Sequence, residues 1–147
     1  MQINSKDFGL LDITQEDIIN FPNGLFAFEE EHKFVLVDMD GYKQKYLQSL
    51  QTEYLRFIIF NPDDIVLDYQ PRLPKEILTM FEANGEEELA FFVIAMIPED
   101  LHEMTVNLKS PVIINRNNKM GAQIILDQQN YPIRYRVFSQ RRRESAC

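Results

Sequence analysis

The sequence predicts a mainly β domain, a barrel or sandwich of short strands with one or two short helices. Three observations point there. The apolar residues come in short runs rich in β-branched and aromatic side chains. Those runs have the length of strands, not of helices. Clusters of Asn, Asp, Gly and Pro separate them at the spacing of an all-β domain.

In chain order the strand candidates are 34–37 (FVLV), 55–60 (LRFIIF), 89–97 (LAFFVIAMI), 111–115 (PVIIN), 122–126 (AQIIL) and 133–138 (IRYRVF). The third is apolar throughout, as expected of a strand buried on both faces, and the last alternates cleanly. Closing such strands into a barrel would remove exposed edges. Two short helices are expected. Thr14 with Asp17 three residues on reads as a capped start, ending before Pro22. The second spans 74–83: Pro74 suits a first helical position, Ile77, Leu78 and Phe81 form an apolar stripe, and Gly85 is placed to stop it. Glu86, Glu87 and Glu88 follow as a solvated loop or an acidic docking patch.

The chain has 147 residues, a length that fits one domain able to bury a core without metal or disulfide support. We expect that domain at 1–140, followed by a short basic tail at 141–147. The formal net charge is −8, and the tail, with three arginines and one glutamate, carries +2, so the body carries −10. An acidic body repels phosphate backbones and attracts basic partners. No apolar stretch is long enough to span a membrane, the first residues lack a signal-peptide layout, and Cys147 is the one cysteine. These features lead to the expectation of a reducing, cytoplasmic setting.

Catalytic patterns are missing from the sequence. None of Ser5, Ser49, Ser110, Ser139 and Ser145 lies in a G-x-S-x-G elbow. His32 and His102 stand among acids and read as solvated surface. Two scattered histidines and a terminal cysteine give no zinc spacing. Asn61, Pro62, Asp63 and Asp64 read as a plain turn, not a calcium loop, because alternating acids and a central glycine are lacking. The five glycines show no G-x-G pairing, so no nucleotide cofactor is expected. Tyr131, Tyr135 and Phe138 near Arg134, Arg136 and Arg141 to Arg143 form the one basic, aromatic feature; we read it as an amphipathic edge strand leaving a charged tail.

A set of short segments in fixed order is more specific. Phe8-Gly9 through Ile13, Glu16 to Ile19, Phe21 and Gly24-Leu25-Phe26-Ala27-Phe28 open the chain. Tyr46 to Leu50 (YLQSL), Phe60-Asn61-Pro62 and Asp68-Tyr69 come next. Then 105–115 (TVNLKSPVIIN), 121–126 (GAQIIL) and Tyr131 complete the series. In this order, over nearly the whole chain, they resemble the bacterial flagellar assembly factor FliW family. The 105–115 segment is the best match, to T-V-N-L-x-x-P-I-x-I-N. At 24–28 the chain departs from the family's G-L-P-G-F pattern: Phe26 stands for the proline and Ala27 for the second glycine.

The resemblance implies a compact, mainly antiparallel β-barrel-like domain with short helices. It also implies a non-enzymatic cytoplasmic protein that binds flagellin and, in competition, CsrA, a small dimeric RNA-binding translational repressor. Capture of CsrA relieves repression of flagellin translation, by antagonism exerted away from the RNA site; direct binding of nucleic acid is not expected. The partner-binding candidates are Phe26, Phe28, Asp63, Asp64, Asp68, Tyr69, Asn107 and Asn115. Each has a structural reading as well. The two phenylalanines alternate and suit a core face, the asparagines suit loop hydrogen bonding, and Asp68 with Tyr69 is a surface polar pair or part of a contact patch. Without a coiled coil or long amphipathic helix, a monomer is expected. A small hydrolase using two of Asp63, Asp64, Asp68 and Glu86 to Glu88 is the competing reading, and a single-stranded nucleic-acid module is a third.

Overall fold

The structure, a computed structural model, describes residues 1–138. The tail expected at 141–147, with Arg141 to Arg143 and Cys147, lies outside the described residues. The chain opens with a hairpin, β1 (Gln2–Ser5) against β2 (Gly9–Asp12). The later strands are β3 (Ile19–Asn20), β4 (Lys33–Asp38), β5 (Lys45–Ser49), β6 (Arg56–Phe60), β7 (Leu89–Met96), β8 (Thr105–Val106), β9 (Val112–Asn115), β10 (Gly121–Gln123) and β11 (Tyr135–Arg136). They form one sheet in the order β3-β4-β5-β6-β7-β9-β10, with β8 also on β7 and β11 on β8, and each ladder is antiparallel. The two ends of this path meet at one parallel bridge, Asn20 to Met120, where Asn20 N–H donates to Lys119 O at 2.9 Å. The sheet is therefore barrel-like, joined at a single bridge and not by a closing ladder.

Burial on both faces follows from strand alternation. Phe34 packs with Leu47, Ile59, Phe92 and Val112, whereas its neighbour Val35 points the other way, onto Ile13 and Ile18. The segment behind the first hairpin thus covers a face that would otherwise be wet. Ser5 Oγ donates to Gln48 Oε1 at 2.8 Å, and the same buried amide donates to the carbonyls of Ser49, Glu53 and Leu55. Full burial of Phe21, Phe34, Leu47 and Ile59 contributes roughly 1.5–3 kcal/mol for each side chain.

Several expectations shift. The first helix is a single 3-10 turn, Gln15–Asp17; Asp17 accepts from Thr14 N–H at 2.8 Å as a cap should, but Ile18 is already extended and leads into β3. The second, α1, spans Lys75–Met80, with Pro74 just before the first helical residue. It ends well short of Gly85. Phe81 is fully buried, and its carbonyl accepts from Asn115 Nδ2 and Asn118 Nδ2, both at 2.9 Å, so two side-chain amides take the place of the next helical donor. Glu82, with φ 53°, takes the left-handed position that Gly85 was expected to fill. The strand expected at 122–126 is β10, shorter and earlier, because beyond Gln123 the neighbouring chain is a bulge. The one expected at 133–138 is paired only at Tyr135 and Arg136.

Candidate partner-binding surface

That bulge begins the construction of the site. Phe92 of β7 stands opposite Val112, and Ala95 opposite Val106. The chain beside β7 therefore takes six steps where β7 takes three, and the surplus forms the bulge at 107–111. Asn107 Oδ1 organises it, accepting from Lys109 N–H at 3.1 Å and Ser110 N–H at 3.0 Å. Leu108 N–H donates to Pro132 O, and Leu108 O accepts the Tyr69 hydroxyl at 2.6 Å. Burial pushes the pKa of that phenol well above its ordinary range, with Tyr131 adding to the effect, so it stays a protonated donor. Ile124 N–H and Leu126 N–H complete the bulge by donating to Pro111 O and Lys109 O.

Beside the bulge lies an open groove of about 290 Å³. It is lined by Leu25, Phe26, Phe57, Met96, Asn107 and Ile133 among others. Phe26 is 45% exposed, Met96 65% and Ile133 59%, which is unusual company for solvent. Phe28, 39% exposed, stacks edge-on against Phe57 at 5.1 Å between ring centres. The two phenylalanines are thus surface residues at this groove, not members of the core.

The turn that presents Phe26 is tight. Phe28 N–H donates to Leu25 O at 2.7 Å, and Leu25 N–H returns to Phe28 O at 3.3 Å. Gly24 enters with φ 66°, and a Cβ there would stand 2.5 Å from Phe28 O, so only glycine fits. Ala27 has φ 72°. A turn with its third residue left-handed favours proline before it and glycine at it. At those two places this chain has a phenyl ring and a strained alanine.

A second, more polar groove of about 880 Å³ includes Asp63, Tyr69, Arg72, Glu86 and Arg116 in its lining. The Asn61 side chain accepts from Asp63 N–H at 3.0 Å and starts a 3-10 turn, Pro62–Asp64, which leaves both aspartates exposed. Leu67, beyond them, is 90% exposed, and Asp68 is exposed with φ 61°. The two grooves occupy successive parts of β7, the polar one at Leu89, Ala90, Phe91 and Phe92, the apolar one at Ile94, Ala95 and Met96.

The eight candidates therefore separate. Phe26 and Asn107 line the apolar groove, with Phe28 beside it on Phe57; Asp63 and Tyr69 line the polar one, with Asp64 and Asp68 close in sequence to them. Asn115 joins neither. It is 1% exposed, its Nδ2 donates to Phe81 O, and its Oδ1 accepts from Asn117 N–H at 2.8 Å. Tyr69 is buried too, with its hydroxyl turned inward. Both side chains serve the fold here. Phe57, Met96 and Ile133 were not anticipated as site residues, since each lies in an ordinary apolar run and only folding unites them.

The acids proposed for a hydrolase do not assemble. Asp63 and Glu86 share the polar groove, but both are exposed and neither has a histidine beside it in the lining. Among the described residues no group of His, Cys, Asp and Glu is arranged to hold a metal ion. His32 Nδ1 lies 3.0 Å from Phe21 O, and His102 lies 3.1 Å from Asp100, so each histidine is engaged locally. Arg136 pairs with Glu103 at 3.5 Å. Among the described residues no helix is long and apolar enough to cross a membrane.

The class of protein that the fold and the surface define is a mainly antiparallel β domain with a polar and an apolar groove along β7. Comparison with known proteins gives the family. The model of the FliW protein family matches residues 2–137. The flagellar assembly factor FliW of Caldicellulosiruptor saccharolyticus is 43% identical over 136 residues, covering 92% of this chain and 90% of its own. That of a Geobacillus species is 33% identical, covering 96% and 98%. A crystal structure of the flagellar assembly factor FliW superposes with a TM-score of 0.88 at 31% identity, covering 94% of this chain and 97% of that one. The chain belongs to the FliW family of flagellar assembly factors.

Proposed function

We propose that this protein is a monomeric, non-enzymatic cytoplasmic switch that binds flagellin and, in competition, the translational regulator CsrA. Bound flagellin leaves CsrA free to repress flagellin translation; once flagellin is exported, the protein captures CsrA and relieves that repression without touching RNA itself. The domain expected at 1–140 does the binding. The observation that carries this reading is the pair of adjoining grooves of opposite character on one strand. The apolar groove at Phe26, Phe28 and Asn107 suits an apolar segment of flagellin. The acidic edge at Asp63, Asp64 and Asp68 suits a basic repressor by charge complementarity, on a chain of net charge −8. Because both grooves use β7, a partner seated in one crowds the other.

Two variants separate the surfaces. Phe26→Ala is expected to weaken flagellin binding about tenfold or more, as loss of an exposed aromatic anchor does. The triple change of Asp63, Asp64 and Asp68 to Asn is expected to slow CsrA association at low salt and leave flagellin nearly unaffected. Titration calorimetry and stopped-flow mixing would read both. Equal loss of both partners in either variant would remove the assignment of surfaces.

A further inference from the structure

We infer that Gln123 is a positioning residue for partner binding, fixing Phe26 at the apolar groove by clamping the turn at 24–28 to the bulge at 107–111. The inference rests on the reading of that groove as the flagellin site. Gln123 ends β10 and is half-buried at the groove's lining. Its Oε1 accepts from Phe26 N–H at 3.0 Å, and its Nε2 donates to Ser110 O at 3.1 Å. One amide therefore joins two segments that both contribute side chains to the groove, Phe26 from one and Asn107 from the other.

A side-chain amide makes this clamp without charge, because it carries an acceptor and donors on one planar group. Glutamate would keep the acceptor towards Phe26 but turn an oxygen on the Ser110 carbonyl. Asparagine is a methylene short. The demand for a clamp arises at Ala27. Its left-handed backbone costs about 1–2 kcal/mol, so the turn has less strained conformations within reach. The internal bonds of the turn run between Leu25 and Phe28 and leave the Phe26 N–H pointing out of it, where Gln123 receives it. Proline at the place of Phe26 and glycine at that of Ala27 would let the turn hold itself; here an outside side chain does part of that work. A ring held in place before the partner arrives loses less freedom on binding, and that difference appears as affinity.

The test combines the free protein with a double-mutant cycle. In the free protein, hydrogen exchange at Phe26 N–H should quicken roughly 3- to 10-fold in Gln123→Ala, while Ile113 N–H in the core keeps its protection. Flagellin binding by calorimetry should weaken about 3- to 10-fold in Gln123→Ala, more in Phe26→Ala, and no further in the double variant. A purely structural role for Gln123 would add the same loss whether or not the ring is present. Gln123→Met, which keeps the length but can make neither hydrogen bond, should behave like the alanine variant and replaces it if alanine does not fold. Unchanged exchange at Phe26 N–H, or additive losses in the cycle, overturns the inference and leaves the groove assignment standing. Unchanged flagellin binding in Phe26→Ala overturns both.

Discussion

The bulge at 107–111 and the turn at 24–28 meet at Gln123, yet they are built on opposite principles. The bulge is over-determined: Asn107, Tyr69, Pro132, Ile124, Leu126 and Gln123 all reach into it, from three other stretches of chain as well as from itself. The turn is held by less: a strained alanine, two bonds between Leu25 and Phe28, the Gln123 amide on Phe26 N–H, and Glu29 Oε1, which accepts from Ala27 N–H at 3.3 Å. The difference accounts for how the family pattern is distributed along the chain. The 105–115 segment keeps the pattern closely because almost every polar atom there has an assigned internal partner, and a buried polar atom left without one is costly. The turn tolerates departure because the residues that depart, Phe26 and Ala27, face solvent, and what it gains is an aromatic ring at a groove.

Two substitutions sharpen that contrast, one in each region. Asn115→Ala, at the end of the pattern-bound segment, should cost about 2–3 kcal/mol. It strips a donor from the buried Phe81 carbonyl and an acceptor from Asn117 N–H. Urea unfolding should show a lower midpoint with an unchanged slope. A loss below about 0.5 kcal/mol would mean that Asn118, which donates to the same carbonyl, suffices alone. Ala27→Gly should have the opposite sign and the smaller size. Relief of the left-handed alanine is offset in part by the greater freedom of glycine in the unfolded chain, leaving a gain of about 0.5–1 kcal/mol. A destabilised Ala27→Gly would show that the turn carries no strain.

Sequence alone made the strands legible where the apolar run was long. The FVLV run became β4, LRFIIF became β6, and LAFFVIAMI became β7 with both faces covered. The hairpin of β1 and β2 was not read from composition, since QINS and GLLD hold too few apolar residues to show a period. The end of α1 was misplaced because it is set by Asn115 and Asn118, more than thirty residues away in sequence, and local stop signals carry no trace of that. The site was partly legible. Phe26 and Phe28 stood out as alternating aromatics, and three aspartates stood out as a charged loop. Phe57, Met96 and Ile133 look like ordinary strand or loop residues until folding brings them together. Gln123 belonged to a recognisable motif, but its role depends on two acceptor and donor atoms from distant turns.

The claim at the centre is that one small domain exchanges two partners. The most direct measurement is a displacement titration, in which CsrA is added to the preformed complex of this protein with flagellin and both the released flagellin and the heat are followed. The account predicts one-for-one displacement, with the apparent affinity for CsrA falling in proportion to the flagellin already bound. A stable ternary complex with unaltered affinities would contradict it.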